Sequence, residues 1–116
     1  MGAAHIELGQ SGEELAVAWY RSHGYEVLDR NWRCSIGEID VVARRGEMLV
    51  VVEVKTRRSD AYGVPALAVT PPKQRRLRRL AARWLAEHRV DRRVDVRFDV
   101  ASVVADAVTI YERAFE

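Results

Sequence analysis

The stretch Gly37-Glu38-Ile39-Asp40-Val41-Val42-Ala43-Arg44-Arg45-Gly46-Glu47-Met48-Leu49-Val50-Val51-Val52-Glu53-Val54-Lys55 decides the fold. Two β-branched runs flank the polar tetrapeptide Arg44-Arg45-Gly46-Glu47, the pattern of a β-hairpin. Ile36 to Ala43 reads as one strand and Met48 to Lys55 as the next. Successive side chains on a strand point to opposite faces, so Glu53 and Lys55 share a face with Val51, and Glu38 and Asp40 share one with Val42. With Arg45-Gly46 at the tip, opposed residue numbers sum to an odd number. Asp40 is then expected opposite Val51 and diagonal to Glu53, with all four charged side chains on one face. That expectation depends on register, because a one-residue bulge moves Asp40 to the other face.

Outward from the hairpin, the elements fall into one compact order. Gly9 to His23 reads as a helix, with Leu15, Ala16, Trp19, Tyr20 and His23 at three- and four-residue spacing and Gly24 as its stop. Tyr25 to Trp32 alternates more weakly and reads as a strand. After the hairpin come a polar loop, Arg58 to Tyr62, then Gly63 and a short apolar segment, Pro65 to Val69. Thr70 can cap a second helix whose first turn takes Pro71, and Leu77, Leu80, Ala81, Trp84, Leu85 and His88 form its apolar stripe. Val94, Val96, Phe98 and Val100 alternate in a fourth strand within Val94 to Val104, and Ala107 to Tyr111 is a candidate fifth. The order α-β-β-β-α-β predicts an α/β fold with a central mixed sheet flanked by helices. At 116 residues the chain has the length of a single domain, 1–116, with no internal repeat or linker.

Composition narrows the function classes. No apolar run approaches the ~18 residues of a membrane-spanning helix, so no membrane role is expected. The first residues lack a signal-peptide pattern, and Met1-Gly2 is followed by Ile6 where myristoylation asks for Ser or Thr. A cytoplasmic protein is the expectation. Cys34 stands alone, which excludes an internal disulfide and a cysteine-cluster metal site. The net charge is only +2, but Lys73, Arg75, Arg76, Arg78, Arg79 and Arg83 form a block without an acid. Such a block suits phosphate, and equally a solvated helix face. There is no Gly-rich phosphate loop and no Gly-x-Ser-x-Gly elbow. Trp19, Tyr20 and Trp84 sit at core spacing, Trp32 is ambiguous, and His5, His23 and His88 are too scattered for metal binding.

A charge inside Leu49-Val50-Val51-Val52-Glu53-Val54-Lys55 is costly unless paired or bound to a metal. One explanation is a structural Glu53–Lys55 pair or a strand end emerging into water. The other is chemical. Phosphodiester hydrolysis needs charge neutralised on the phosphoryl oxygens and a hydroxide-like nucleophile. Two carboxylates holding Mg²⁺ or Mn²⁺ supply both, and a neighbouring lysine can orient the water or stabilise the pentacovalent phosphate.

Asp40 followed by Glu53-Val54-Lys55 resembles the PD-(D/E)-x-K nuclease superfamily, which includes restriction enzymes and archaeal Holliday-junction resolvases; Ile39 replaces the usual proline. Gly9-x-x-Gly12-Glu13, Gly24-Tyr25, Asn31-Trp32-Arg33, Gly37-Glu38-Ile39-Asp40, Val52-Glu53-Val54-Lys55-Thr56-Arg57, Gly63-x-Pro65 and Lys73 together look like the YraN-like uncharacterised family of predicted endonucleases, over residues 9 to about 111. The resemblance implies a restriction-endonuclease-like core and catalytic Asp40, Glu53 and Lys55. It also implies Mg²⁺ or Mn²⁺ held by Asp40, Glu53, the Val54 carbonyl and Glu13, the last against a plain helix-start role favoured by the dipole. Glu38 is either near this site or structural. Arg57, Lys73, Arg75, Arg76 and Arg79 are the candidate nucleic-acid contacts, with DNA the expected partner and room for a homodimer. Two functions stay open: a metal-dependent DNA endonuclease acting on branched or single-stranded substrates, or a non-catalytic nucleic-acid-binding accessory module.

Overall fold

A computed structural model describes residues 8–57, 69–90 and 93–115. The elements are α1 (Leu8–Ser22), β1 (Glu26–Cys34), β2 (Gly37–Arg45), β3 (Met48–Arg57), α2 (Pro71–Glu87), β4 (Asp95–Val104) and β5 (Ala107–Phe115). The expected α-β-β-β-α-β order is present, with β5 added and running four residues past the expected Tyr111. The five strands lie in chain order, antiparallel except for β3 against β4, which run parallel with α2 between them in sequence. A parallel pair needs such a long crossover, and helix α2 provides it. The polar loop, Gly63-x-Pro65 and most of the apolar segment before Val69 lie outside the described residues.

Both helix ends follow from local chemistry. Gly24, at φ 84°, closes α1: its N–H reaches Arg21 O at 3.3 Å while Tyr25 N–H reaches Tyr20 O at 3.0 Å. That crossed pair is the Schellman arrangement, which requires a left-handed residue after the helix. At the start of α2, Thr70 Oγ1 accepts the Lys73 N–H at 3.4 Å, and Pro71 follows where its missing N–H costs nothing.

The sheet is covered on both faces. Leu77, Leu80, Ala81 and Trp84 of α2 bury against Ile39, Val42, Leu49 and Val51. Ala16, Val17 and Tyr20 of α1 bury against Val41, Ala43, Val50 and Val52. A strand buried on both sides carries a continuous apolar run, and Leu49-Val50-Val51-Val52 is one.

The hairpin corrects one expectation. Its turn is Gly46-Glu47, so Arg45 pairs with Met48 and Val42 with Val51; Asp40 does not oppose Val51. A two-residue hairpin needs a positive φ at its first central position, and Gly46 supplies it at 61°. The register therefore pivots one residue later than a tip at Arg45-Gly46 would have it.

Side-chain alternation on β2 also slips. Ile39 and Val42 pack in the α2 core, whereas Val41 and Ala43 pack in the α1 core. Strict alternation would put residues 39 and 42 on opposite faces, so the slip is centred at Asp40 and Val41. The neighbouring strand slips at the same level. Arg30 and Asn31, consecutive residues, both reach Glu13 on α1, while Asp29 and Trp32 turn toward α2. Asn31 absorbs the irregularity with a left-handed φ of 52°, a conformation asparagine tolerates better than most residues.

Candidate active site

The acids gather where β2 and β3 part. The β2–β3 ladder runs from Arg45↔Met48 to Val41↔Val52. Beyond it, the Asp40 side chain substitutes for a backbone acceptor: its Oδ2 takes the Val54 N–H at 2.8 Å. The slip in alternation thus leaves Asp40 in the gap between the strands, next to Glu53. Burial pushes the Asp40 carboxyl up to about 6, with the Glu53 charge adding to the rise and Glu38 and Glu13 contributing further; the Val54 amide opposes them.

Glu53 does face α2. Its Oε1 lies 3.2 Å from Lys73 Nζ and 3.8 Å from Lys55 Nζ. Lys73, expected on the basic surface of α2, is thus in the cleft and closer to Glu53 than Lys55 is. Burial pulls the Lys55 amine below its ordinary value, and the neighbouring Lys73 adds to that pull. Asp40, Glu53, Lys73 and Arg76 share a cleft of about 470 Å³ on the α2 side. A second cleft of about 870 Å³ on the α1 side contains Glu13, Arg30, Asn31, Asp40, Lys55 and Thr56. Asp40 borders both.

Glu13 reaches this second cleft because α1 lies tight on the end of β3. A Cβ on Gly12 would overlap Thr56 Oγ1, so glycine is required for that approach. Glu13 is only 8% exposed. Arg30 Nε at 3.1 Å and Asn31 Nδ2 at 2.9 Å both donate to its Oε1, and the Arg30 guanidinium bridges on to Glu14 at 2.7 Å. Every described partner of Glu13 therefore takes the same oxygen. Arg30 and Asn31 are site residues that sequence reasoning missed; the only trace was Asn31 within Asn31-Trp32-Arg33. Glu38, half-exposed, pairs with Arg33 at 3.0 Å and lies at the rim of both clefts. Arg57 ends β3 opposite Val104. Arg75, Arg76 and Arg79 are exposed on α2, away from its buried stripe.

The donor set suits one kind of ion. Among the described residues, no three Asp, Glu, His or Cys side chains converge into a ready cage. Calcium and structural zinc ask for more protein ligands than this. Magnesium keeps several waters and takes one or two carboxylates, which Asp40 and Glu53 can offer beside the Val54 carbonyl. Mg²⁺ or Mn²⁺ fits; a closed cage does not.

Residues 12–103, which contain every acid and lysine of the two clefts, match the family model described as uncharacterised protein family UPF0102. The chain belongs to that family. Among its UPF0102 relatives, one from Beutenbergia cavernae is 62% identical over 81 residues, covering 70% of this chain and 69% of the relative. One from Rhodococcus opacus is 53% identical over 85 residues, with 73% and 72% covered. One from Geobacter metallireducens is 52% identical over 89 residues, with 77% and 73% covered. The UPF0102 match opens at Gly12, the glycine whose contact with Thr56 seats Glu13. No helix among the described residues is long and apolar enough to cross a membrane.

The raised Asp40 carboxyl has a measurable consequence in this UPF0102 chain. Its ordinary value is 3.8 and its folded value about 6, so between these pH values the folded state holds a proton that the unfolded state releases. The stabilisation is complete below about pH 4 and is lost as pH rises through about 6. Two units correspond to about 2–3 kcal/mol. In EDTA, the stability difference between wild type and Asp40→Asn should change in that window, with the wild type losing ground as pH rises. Urea unfolding at pH 4, 5, 6 and 7 checks this. A constant difference would mean that Asp40 is not buried among like charges.

Proposed function

We propose that this protein is a Mg²⁺- or Mn²⁺-dependent endonuclease that hydrolyses phosphodiester bonds in DNA, branched or single-stranded, in the cytoplasm, alone or as a homodimer. The observation that carries the reading is the convergence of Asp40, Glu53 and Lys55 at the parting of β2 and β3, with the Asp40 carboxyl raised by burial and by Glu53. A purely structural site has little reason to bury Asp40 beside a second acid that raises the cost of charging it. The resemblance of Asp40 and Glu53-Val54-Lys55 to the PD-(D/E)-x-K nucleases supports the same reading.

Asp40 and Glu53, with the Val54 carbonyl, would hold the ion, and Glu13 would meet it or one of its waters through Oε2. The ion would supply charge neutralisation at the phosphoryl oxygens and a more acidic water. Lys55 stands beside Glu53 with its amine pulled down by burial. It orients the attacking water or donates to a non-bridging phosphoryl oxygen. Lys73 balances Glu53 until substrate and ion arrive, and Arg57 and the arginines of α2 meet flanking phosphates.

The direct test is metal-dependent cleavage of linear, single-stranded and branched DNA, with Asp40→Asn as control; cleavage of none of them favours the accessory-module reading. A substrate-free test accompanies it. An ion that binds only the folded state at ten times its Kd stabilises by about 1.4 kcal/mol, which for a domain of this size raises the melting temperature by roughly 3–6 °C. That rise is expected with Mn²⁺ or Mg²⁺ in the wild type and should vanish in Asp40→Asn and Glu53→Gln. Equal shifts in all three proteins would place the ion elsewhere.

A further inference from the structure

The arginines of α2 are not equivalent. Arg78 lies over the rings of Phe98 and Phe115, 6.0 and 5.4 Å from their centroids. Arg83 donates to Ser35 Oγ at 3.1 Å and pairs with Glu87 at 3.5 Å. Arg75, Arg76 and Arg79 make no ion pair, hydrogen bond or ring contact among the described residues. These three line a groove of about 590 Å³ whose other walls are Ser35, Ile36 and Pro72. No acid lines it. Three cations on one concavity, without an ion pair among the described residues, repel one another, so the groove favours an anion that can span all three.

Shape decides which anion. The groove runs between the turn joining β1 to β2 and the first turns of α2, and the Arg83–Ser35 bond ties that turn to the helix. It is therefore largely preformed. A duplex, whose major groove alone is about 12 Å wide, cannot enter such a space and would touch only its rim. An unpaired strand can enter, and it carries two chemistries that the walls match: phosphates for the guanidinium groups, and bases with apolar faces for Ile36 and Pro72. Arg76 also lines the cleft that holds Asp40 and Glu53, so the groove borders the acid cleft at that residue.

We propose that this groove binds an unpaired nucleic-acid strand, with its phosphates on Arg75, Arg76 and Arg79 and a base against Ile36 and Pro72, and leads it through Arg76 into the acid cleft. Only the last clause rests on the proposed nuclease reading; binding in the groove does not.

The test is fluorescence anisotropy in EDTA, where no cleavage occurs, with a labelled oligothymidylate and a labelled blunt hairpin duplex. The wild type should prefer the oligothymidylate. Replacing Arg75, Arg76 and Arg79 together by Gln should flatten its slope of log K against log salt by about 2, three contacts at ~0.7 each on a single strand. Ile36→Ala should weaken oligothymidylate binding roughly fourfold per methylene lost from the contact, leaving the salt slope and duplex binding unchanged. Arg21→Gln, on α1, controls for general loss of charge. If the triple variant melts early, Arg76→Gln and Arg79→Gln separately should each flatten the slope by about 0.7. Equal affinity for strand and duplex, an unchanged slope, or an Ile36→Ala loss shared by both ligands would overturn the proposal. Cleavage that persists after any of these results leaves the nuclease reading standing; a groove that behaves as expected in a protein without cleavage leaves the groove standing.

Discussion

Asp40→Asn, Glu53→Gln and Lys55→Ala are each expected to lower Mg²⁺-dependent DNA cleavage by on the order of 10²–10³ or more, the usual cost of deleting one electrostatic partner of the transition state, while leaving the protein folded. The folded part of that expectation comes from the structure. Asparagine keeps an oxygen for the Val54 N–H that Asp40 now accepts. Glu53→Gln removes the counter-charge of Lys73 and Lys55, but those side chains are 28% and 26% exposed, so water can take over. A fully buried lysine left alone would cost ~3–5 kcal/mol; these should cost well under that. Lys55→Ala leaves Glu53 still paired with Lys73. The competing account is that Glu53 only anchors Lys73, the nearer of its two lysines. On that account Glu53→Gln cleaves at the wild-type rate and melts several degrees lower. Steady-state cleavage alongside melting curves separates the two, because catalysis and anchoring predict opposite pairs of results.

Much of this arrangement is legible from residue order. Thr70, Pro71 and the stripe from Leu77 to Trp84 announce α2 because capping and a 3.6-residue period are local properties. The hairpin and its acids are legible for the same reason. What alternation cannot reveal is where it fails. The slip at Asp40 depends on the partner strand, where Asn31 takes a left-handed φ and turns toward Glu13. That is a tertiary decision, and it carries Asp40 from a regular ladder into the gap beside Glu53. Lys73 likewise reads as one more cation of a basic helix. Only the crossover that brings the start of α2 over the end of β3 places it on Glu53. The far half of β5 escapes the pattern because Asp99 supports it from another strand: its Oδ1 accepts the Arg113 N–H at 3.2 Å, where Arg113 has a φ of 50° and the β4–β5 register shifts.

Asp99 also underlies the largest expected loss of stability. The residue is 1% exposed, and it accepts four donors: Arg97 Nε at 2.8 Å, Arg97 Nη2 at 2.9 Å, the Tyr20 hydroxyl at 2.7 Å and the Arg113 N–H. Arg97, itself 6% exposed, donates onward to the Tyr25 hydroxyl at 2.9 Å and reaches Glu112 at 3.1 Å. Burial, and Asp99 beside it, hold the Tyr20 phenol far above its ordinary range, so it stays a donor at any accessible pH. The network adds a charged tie between α1 and strands β4 and β5 to the apolar contact of Ala16, Val17 and Tyr20 with Ala101. A buried pair is close to neutral against a well-packed apolar replacement, but breaking one side strands the other. Asp99→Ala should therefore cost ~3–5 kcal/mol, a large part of the 5–15 kcal/mol that stabilises an ordinary domain. Tyr20→Phe, which removes one donor and leaves the ion pair, should cost only about 1 kcal/mol. Arg97→Met combined with Asp99→Leu should recover part of the loss, since neither charge is then left without its partner. Urea unfolding of the four proteins reads the differences. If Asp99→Ala costs no more than Tyr20→Phe, the guanidinium has found water or Glu112 as a sufficient partner, and the network is not what secures the Tyr20 end of α1, two turns from Glu13, against the sheet.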